Sequence, residues 1–326
     1  MELWQAILSD DGNRLLTVSF TTRVQVWEYN SKNINNQSNA WVEVGDLTTA
    51  MLDQGILQVL EVDVSAEGNT VGIVSPSNQG ATLLATAFQY DASSNAWLGK
   101  GNPIEFHACT ISDHTFLSGD GNHWLILFNC NAAEVLEYSH DLGDWSLVGV
   151  PVVSTSDKAS ISNDGQRIAV YGTALEVYEF DTLAATWQVM GSTIATNFGQ
   201  FALSGSGTRL LFADETDGTL RVLEWNGVTW NEMGGVLLQG YVYDFVAIST
   251  DGNRVVARRR EDFVSPPVAT IYADYSSDSG NWQVHETTFA TIPYTIDFVT
   301  SFAAASKNRI TTSMDTEIYH QVWELT

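Results

Sequence analysis

Residues Phe198 to Gly235 read FGQFALSGSGTRLLFADETDGTLRVLEWNGVTWNEMGG. An apolar run ends at Ser204, and a polar turn through Gly207 leads to a second β-rich run opened by Arg209. A third run, Leu220 to Trp225, ends in an aromatic residue, and a fourth is marked by Trp230 and closes on Gly234. Short alternating runs bounded by Gly, Asn, Asp and Ser predict strands joined by hairpins. No sustained helical period appears anywhere in the chain.

The same cadence returns along the whole sequence. The turn reads Ser9-Asp10-Asp11-Gly12-Asn13-Arg14, then Ser65-Ala66-Glu67-Gly68-Asn69-Thr70, then Ser118-Gly119-Asp120-Gly121-Asn122-His123. Ser162-Asn163-Asp164-Gly165-Gln166-Arg167 and Ser249-Thr250-Asp251-Gly252-Asn253-Arg254 flank the copy at Ser204. A degraded seventh copy is Ala304-Ala305-Ser306-Lys307-Asn308-Arg309. The fourth run is marked by Trp41, Trp97, Trp145, Trp187, Trp230 and Trp282, and in five of these six copies a Gly follows four residues later.

Spacings between the turn glycines average about 49 residues, and four strands per 40–50 residues is the period of a propeller blade. The 326 residues therefore hold about 6.7 repeats. The expectation is an all-β, seven-bladed β-propeller in a single domain, 1-326, with four-stranded blades. Blade limits fall near 1-48, 56-104, 109-152, 157-194, 198-238, 242-290 and 295-326. The last blade ends at Thr326 without a Trp-marked outer strand, so 27 of 28 strands are expected.

The Phe198-Gly199 pair and the Trp-x-x-x-Gly ending resemble the FG-GAP-like repeats of integrin-type propellers. The Ser-x-Asp-Gly hairpins are similar to those of TolB-type and WD-repeat propellers. These resemblances imply a propeller with an interaction role and name no substrate. The turns offer one or two carboxylates each, fewer than the dense loop of calcium-binding FG-GAP repeats, so neither metal nor cofactor is assigned.

Fourteen Lys+Arg against 39 Asp+Glu give a net charge of −25, which disfavours nucleic acid and anionic membranes as partners. No apolar run approaches the length of a membrane span. The opening MELWQAILSDDG lacks the features of a signal peptide. The acidic balance suits an extracellular or lumenal setting, where surface carboxylates favour solubility. Asn36-Gln37-Ser38 is a glycosylation sequon in a polar loop.

Candidate sites are few. Four residues before the turn Ser, the inner strands carry Gln5, Glu61, His114, Lys158 and Gln200; two before it, blade two carries Asp63. A carboxylate, an imidazole and an ammonium at one level of the channel would suit a small zwitterionic ligand or acid–base work. The repeated Trp residues read as packing between blades, each indole N–H reaching a backbone carbonyl, rather than as a sugar-stacking platform. Arg258-Arg259-Arg260 reads as a strand end neutralised by Glu261 and Asp262. If Leu117 pairs with Trp124, Cys109 is a diagonal neighbour of Cys130, a marginal distance for a disulfide. Two separate thiols are expected there, with a disulfide or a metal site as alternatives.

No catalytic motif appears. The primary expectation is a non-catalytic binding or scaffold module. A hydrolase or lyase with its site in the channel, or a lectin-like domain binding a glycan, are the alternatives. The partner expected is another protein chain, or a terminal strand, completing the last blade against the apolar edge Ile318, Tyr319, Val322, Trp323 and Leu325.

Overall fold

The computed structural model describes residues 3–19, 22–29, 41–77, 82–106, 111–128, 130–155, 158–194, 197–260, 269–288, 302–303, 309–312 and 321–324. Over these residues the chain is a β-propeller whose blades are antiparallel meanders of four strands paired in chain order, and in blades two and three a short fifth strand, Ile104–Phe106 and Val152–Val153, also pairs with the third. Blade one is Leu3–Leu8, Arg14–Ser19, Arg23–Tyr29 and Trp41–Glu43; blade two is Glu61–Val64, Thr70–Pro76, Leu83–Asp91 and Ala96–Gly99. Blade three is Ile111–Leu117, His123–Phe128, Ala132–Ser139 and Asp144–Leu147; blade four is Ala159–Ile161, Arg167–Tyr171, Leu175–Asp181 and Thr186–Val189. Blade five is Phe198–Leu203, Arg209–Asp214, Thr219–Trp225 and Trp230–Glu232; blade six is Val242–Ile248, Arg254–Arg260, Ala269–Ser276 and Asn281–Thr288.

The described residues thus form six complete blades, where the repeat arithmetic expects seven. Beyond them Phe302–Ala303, Arg309–Thr312 and Gln321–Glu324 form a three-stranded sheet. Its first two strands lie against Leu3–Leu8 of blade one, so the ring order returns to its start.

Blades two to five are each covered on both faces by their neighbours. The second strands therefore read as almost continuous apolar runs instead of alternating ones, and every residue of His123–Phe128 is buried. The core lies between blades: Leu16 and Val24 of blade one pack with Val62 and Ile73 of blade two, and four further clusters fill the next boundaries. On its other face, blade one carries a small cluster, Ala6, Leu8 and Leu15, flanked by Trp27 and Trp41.

Two features depart from the sequence expectation. A short helix, Leu47–Asp53, connects blades one and two; Asp46 caps it by accepting from the Thr49 N–H at 2.9 Å, and Leu47 and Met51 fill the core below. Cys130 is disulfide-bonded, against the expectation of two separate thiols. Leu117 does pair with Trp124, but a β-bulge between Ile111 and Thr115 sets Ile111 opposite Phe128 instead of Cys130. Cys109, the other cysteine of the sequence, lies outside the described residues.

Candidate functional site

The repeated residues prove to be clasps between blades. Trp97 Nε1 donates to the Val44 carbonyl at 2.7 Å, Trp145 to Lys100 at 2.6 Å, and Trp187 to Val148 at 3.1 Å. Trp230 reaches the Met190 carbonyl at 2.9 Å and Trp282 the Met233 carbonyl at 2.8 Å. In every case the acceptor is the third residue after the preceding blade's Trp, immediately before the Gly. That Gly has positive φ, 63° at Gly45 and 69° at Gly234, and a Cβ there would stand 2.8 Å and 2.7 Å from the next blade's indole. The Gly thus turns the chain away from the sheet and leaves room for the ring. This is the packing role expected of the Trp residues.

The Ser-x-Asp-Gly turns form a second set of contacts nearer the axis. Ser9 Oγ donates to Asp11 Oδ1 at 2.7 Å and accepts from the Arg14 N–H at 2.9 Å, which closes the hairpin locally. The residue after the turn then reaches forward. Arg14 donates to the Gly68 carbonyl at 3.1 Å and to Asn69; Arg167 donates to the Ser206 carbonyl at 3.0 Å, and Arg209 to the Asp251 carbonyl at 3.1 Å.

Two of the candidate channel residues are also braces. Asp63 Oδ2 accepts from the Leu117 N–H of blade three at 2.6 Å, and Lys158 Nζ donates to the Gly199 carbonyl of blade five at 2.5 Å. Ser160 repeats the Asp63 arrangement in blade four, accepting from the Leu203 N–H at 3.0 Å. Glu61 opens its inner strand opposite Val74, whereas Gln200 and His114 lie where bulges break the register of blades five and three.

A group not picked out from the sequence stands at the turn end of the channel, one residue after the turn Ser. Asp10 accepts from Thr250 Oγ1 at 3.1 Å and from the side chain of Asn163, joining blades one, six and four. Burial raises its pKa, and those hydrogen bonds oppose the rise. Burial likewise pushes Asp63 up to about 7, with the charge of nearby Asp10 adding to the effect. The column after the turn Ser (Asp10, Ala66, Gly119, Asn163, Gly205, Thr250) is otherwise small, and its polar exceptions were the available signal. Among the described residues no cluster of three metal-ligating side chains occurs.

Lys100 was also missed. It is buried, its ammonium donating to the Gly121 carbonyl at 2.7 Å and to Asn122 Oδ1 at 2.9 Å, and desolvation lowers its pKa to about 8. At the arginine run, Arg259 lies over the Tyr241 ring at 4.3 Å, while Glu261 and Asp262 lie outside the described residues. Two open clefts lie on the rim. One of about 470 Å³ is bordered by Arg23, Glu43 and Asp46; the other, about 490 Å³, by Asp214, Arg221 and Trp230. Of the candidate edge, Val322 and Trp323 fall in Gln321–Glu324, opposite Thr311 and Ile310; Ile318, Tyr319 and Leu325 lie outside the described residues.

No protein-family profile and no curated protein sequence matches the chain. The fold is similar to the β-propeller domain of Cps50 (Swd1) from Myceliophteria thermophila, with a TM-score of 0.61 and 10% identity over 100% of this chain and 98% of that one. It is also similar to hydrazine synthase from Kuenenia stuttgartiensis, at TM-score 0.57 and 10% identity over 99% and 96%. A functionally unknown protein from Desulfotomaculum acetoxidans gives 0.55 and 14% over 86% and 84%. At these identities the likeness carries the propeller fold alone, a fold that hosts many unrelated functions.

Proposed function

We infer that the chain is a non-catalytic protein-binding or scaffold module whose ring has seven blades, the seventh completed by a strand from another protein chain or by a terminal strand. The observation that carries this reading is the three-stranded sheet ending at Gln321–Glu324, next to six sheets that all have a fourth strand. An unpaired strand edge presents N–H and C=O groups that recruit an added strand. Asp63 and Lys158, the residues best suited to channel chemistry, are engaged in holding blades together, which weighs against a hydrolase or lyase. The Trp residues are held in clasps, which weighs against a lectin-like stacking surface. The disulfide at Cys130 and the charge of −25 favour an oxidising exterior or lumen.

The test is hydrogen exchange at Gln321–Glu324 in the full chain, with and without a peptide carrying the blade-four outer strand, residues 186–192. Slowed exchange of these amides on adding the peptide supports the reading. Unchanged exchange at peptide concentrations in the millimolar range refutes it.

A further inference from the structure

We propose that His123 is a proton-operated clasp: charged, it holds blades three and four together at their turns, and neutral, it loosens them.

In the six described blades the residue after each turn pairs across the sheet with the third strand. Where it is an arginine, the partner is a carboxylate. Arg14 meets Glu28 at 3.1 Å, Arg167 meets Glu179 at 2.6 Å, Arg209 meets Glu224 at 2.8 Å and Arg254 meets Asp274 at 2.6 Å. Three of these arginines also lie over the turn Gly of the next blade. A Cβ on Gly68 would collide with Arg14, one on Gly207 with Arg167, and one on Gly252 with Arg209. From that position each donates to a backbone carbonyl of the next turn. A guanidinium is always charged in a protein, so these seams have a fixed donor.

Two blades depart from this rule. Blade two has Thr70, and its cross-strand partner is correspondingly neutral: the hydroxyl donates to Gln89 at 2.8 Å. There the cation comes from Lys100 instead. Its ammonium donates to the Gly121 carbonyl and Asn122 Oδ1, matching the bonds of Arg14 to the Gly68 carbonyl and Asn69 Oδ1. Blade three has His123 but keeps the carboxylate, Glu137, as its cross-strand partner. A Cβ on Gly165 of blade four would collide with the imidazole, so the ring occupies the place arginine takes elsewhere.

His123 is buried, and its Nδ1 is without a hydrogen-bond partner. Asp120 Oδ1 stands 3.9 Å from Nδ1, Glu137 Oε1 stands 3.7 Å from Nε2, and the Gln166 side-chain amide of blade four stands 3.4 Å from the same Nε2. Of the other charged groups, Lys100 acts on Asp120 from the side of blade two, and Asp164 is held by Ser162 and the Gln166 N–H. Neutral imidazole has one N–H to offer these acceptors, whereas imidazolium has two and a charge. With its oxygen turned to Nε2–H, Gln166 takes the part that Asn69 and Asn253 play for Arg14 and Arg209. A clasp made by the imidazolium is present at low pH and is lost as pH rises through the range in which imidazoles titrate.

The experiment follows hydrogen exchange of the Asp120 amide, which donates to the Asn163 carbonyl across this seam at 3.0 Å. Rates are taken between about pH 5 and 8, the span in which imidazoles change charge, and corrected for intrinsic exchange. In the native chain protection should fall by about tenfold over that span, the effect of one charge-assisted hydrogen bond. His123→Gln, neutral at every pH, should show the low value throughout, and His123→Arg the high value throughout. Glu137→Gln, which neutralises an exposed carboxylate, should shrink the fall. Asp10, bonded to the Asn163 side chain, and Asp63 are the same in all these chains, so any pH effect of theirs survives in every variant. Level protection in the native chain, or an equal fall in the native chain and either His123 variant, overturns the proposal.

Discussion

Trp282 Nε1 donates to the Met233 carbonyl across the boundary between blades five and six at 2.8 Å, and a Cβ on the adjacent Gly234 would lie 2.7 Å from the same indole. One residue pair thus binds two sheets by a hydrogen bond and by the absence of a side chain. Gly234→Ala should destabilise the protein by roughly 2–4 kcal/mol, combining left-handed backbone strain with overpacking. Gly280 has nearly the same φ, 67°, but nothing within 4 Å of its added Cβ. Gly280→Ala should cost only about 1–2 kcal/mol, the backbone part alone. Chemical denaturation of the two variants separates the terms, and equal losses would show that the indole contact contributes nothing.

The inner contacts make a different prediction. Arg209 donates from Nη1 to the Asp251 carbonyl and to Asn253 Oδ1 at 2.5 Å, and from Nε and Nη2 to Glu224 at 3.0 and 2.8 Å. Lysine is a point charge without this fork, so Arg209→Lys should cost about 1–2 kcal/mol. Glu224 is exposed, and Glu224→Gln should cost less than about 1 kcal/mol. A larger loss at Glu224 than at Arg209 would place the stabilisation in the ion pair and not in the link to blade six.

These clasps explain how far the sequence could be read. The turn Ser, its Gly and the marker Trp each serve a local hairpin and a neighbouring blade at once, so they recur at blade spacing and reveal the fold. The channel residues serve contacts that differ from blade to blade. Asp63 and Ser160 do the same work, but Ile7, Phe116, Ala202 and Ala247 fill that position elsewhere, so no pattern marks it. The bulges in blades one, three, five and six shift register without any Gly or Pro signature common to them. The bulge in blade three sets Ile111 opposite Phe128, a register that counting from the turn Ser does not give. The helix Leu47–Asp53 is too short to show a period of its own.

The disulfide gives a third prediction. The sequence holds two cysteines, and Cys130 is bridged. Thiol titration of the denatured, unreduced chain should find no free sulfhydryl, and reduction should release two. Cys130→Ser should lower stability by about 2–4 kcal/mol, the usual worth of a bridge closing a loop of this order. Two reactive thiols before reduction would contradict the bridge.

Stability should also fall with rising pH on account of Asp63. In the unfolded chain this carboxyl ionises near its ordinary value of 3.8, and in the native protein near 7, chiefly because burial disfavours its charge. Between those values the native state holds a proton that the unfolded state has lost, so each pH unit lowers stability by up to about 1.4 kcal/mol. Below the window both states are protonated, and above about 7 both are ionised, so the dependence flattens at each end. Asp10 shifts in the same direction and steepens the fall. Asp63→Ser supplies the acceptor that Ser160 provides for the Leu203 N–H, without a charge to bury. The variant should resemble the native chain near pH 4 and exceed it near pH 8, with a shallower slope between. Urea midpoints from pH 4 to 8 measure this directly. A native chain whose midpoint is level across that range, or a variant with an unaltered slope, would show that the Asp63 carboxyl is not the group whose burial opposes ionisation.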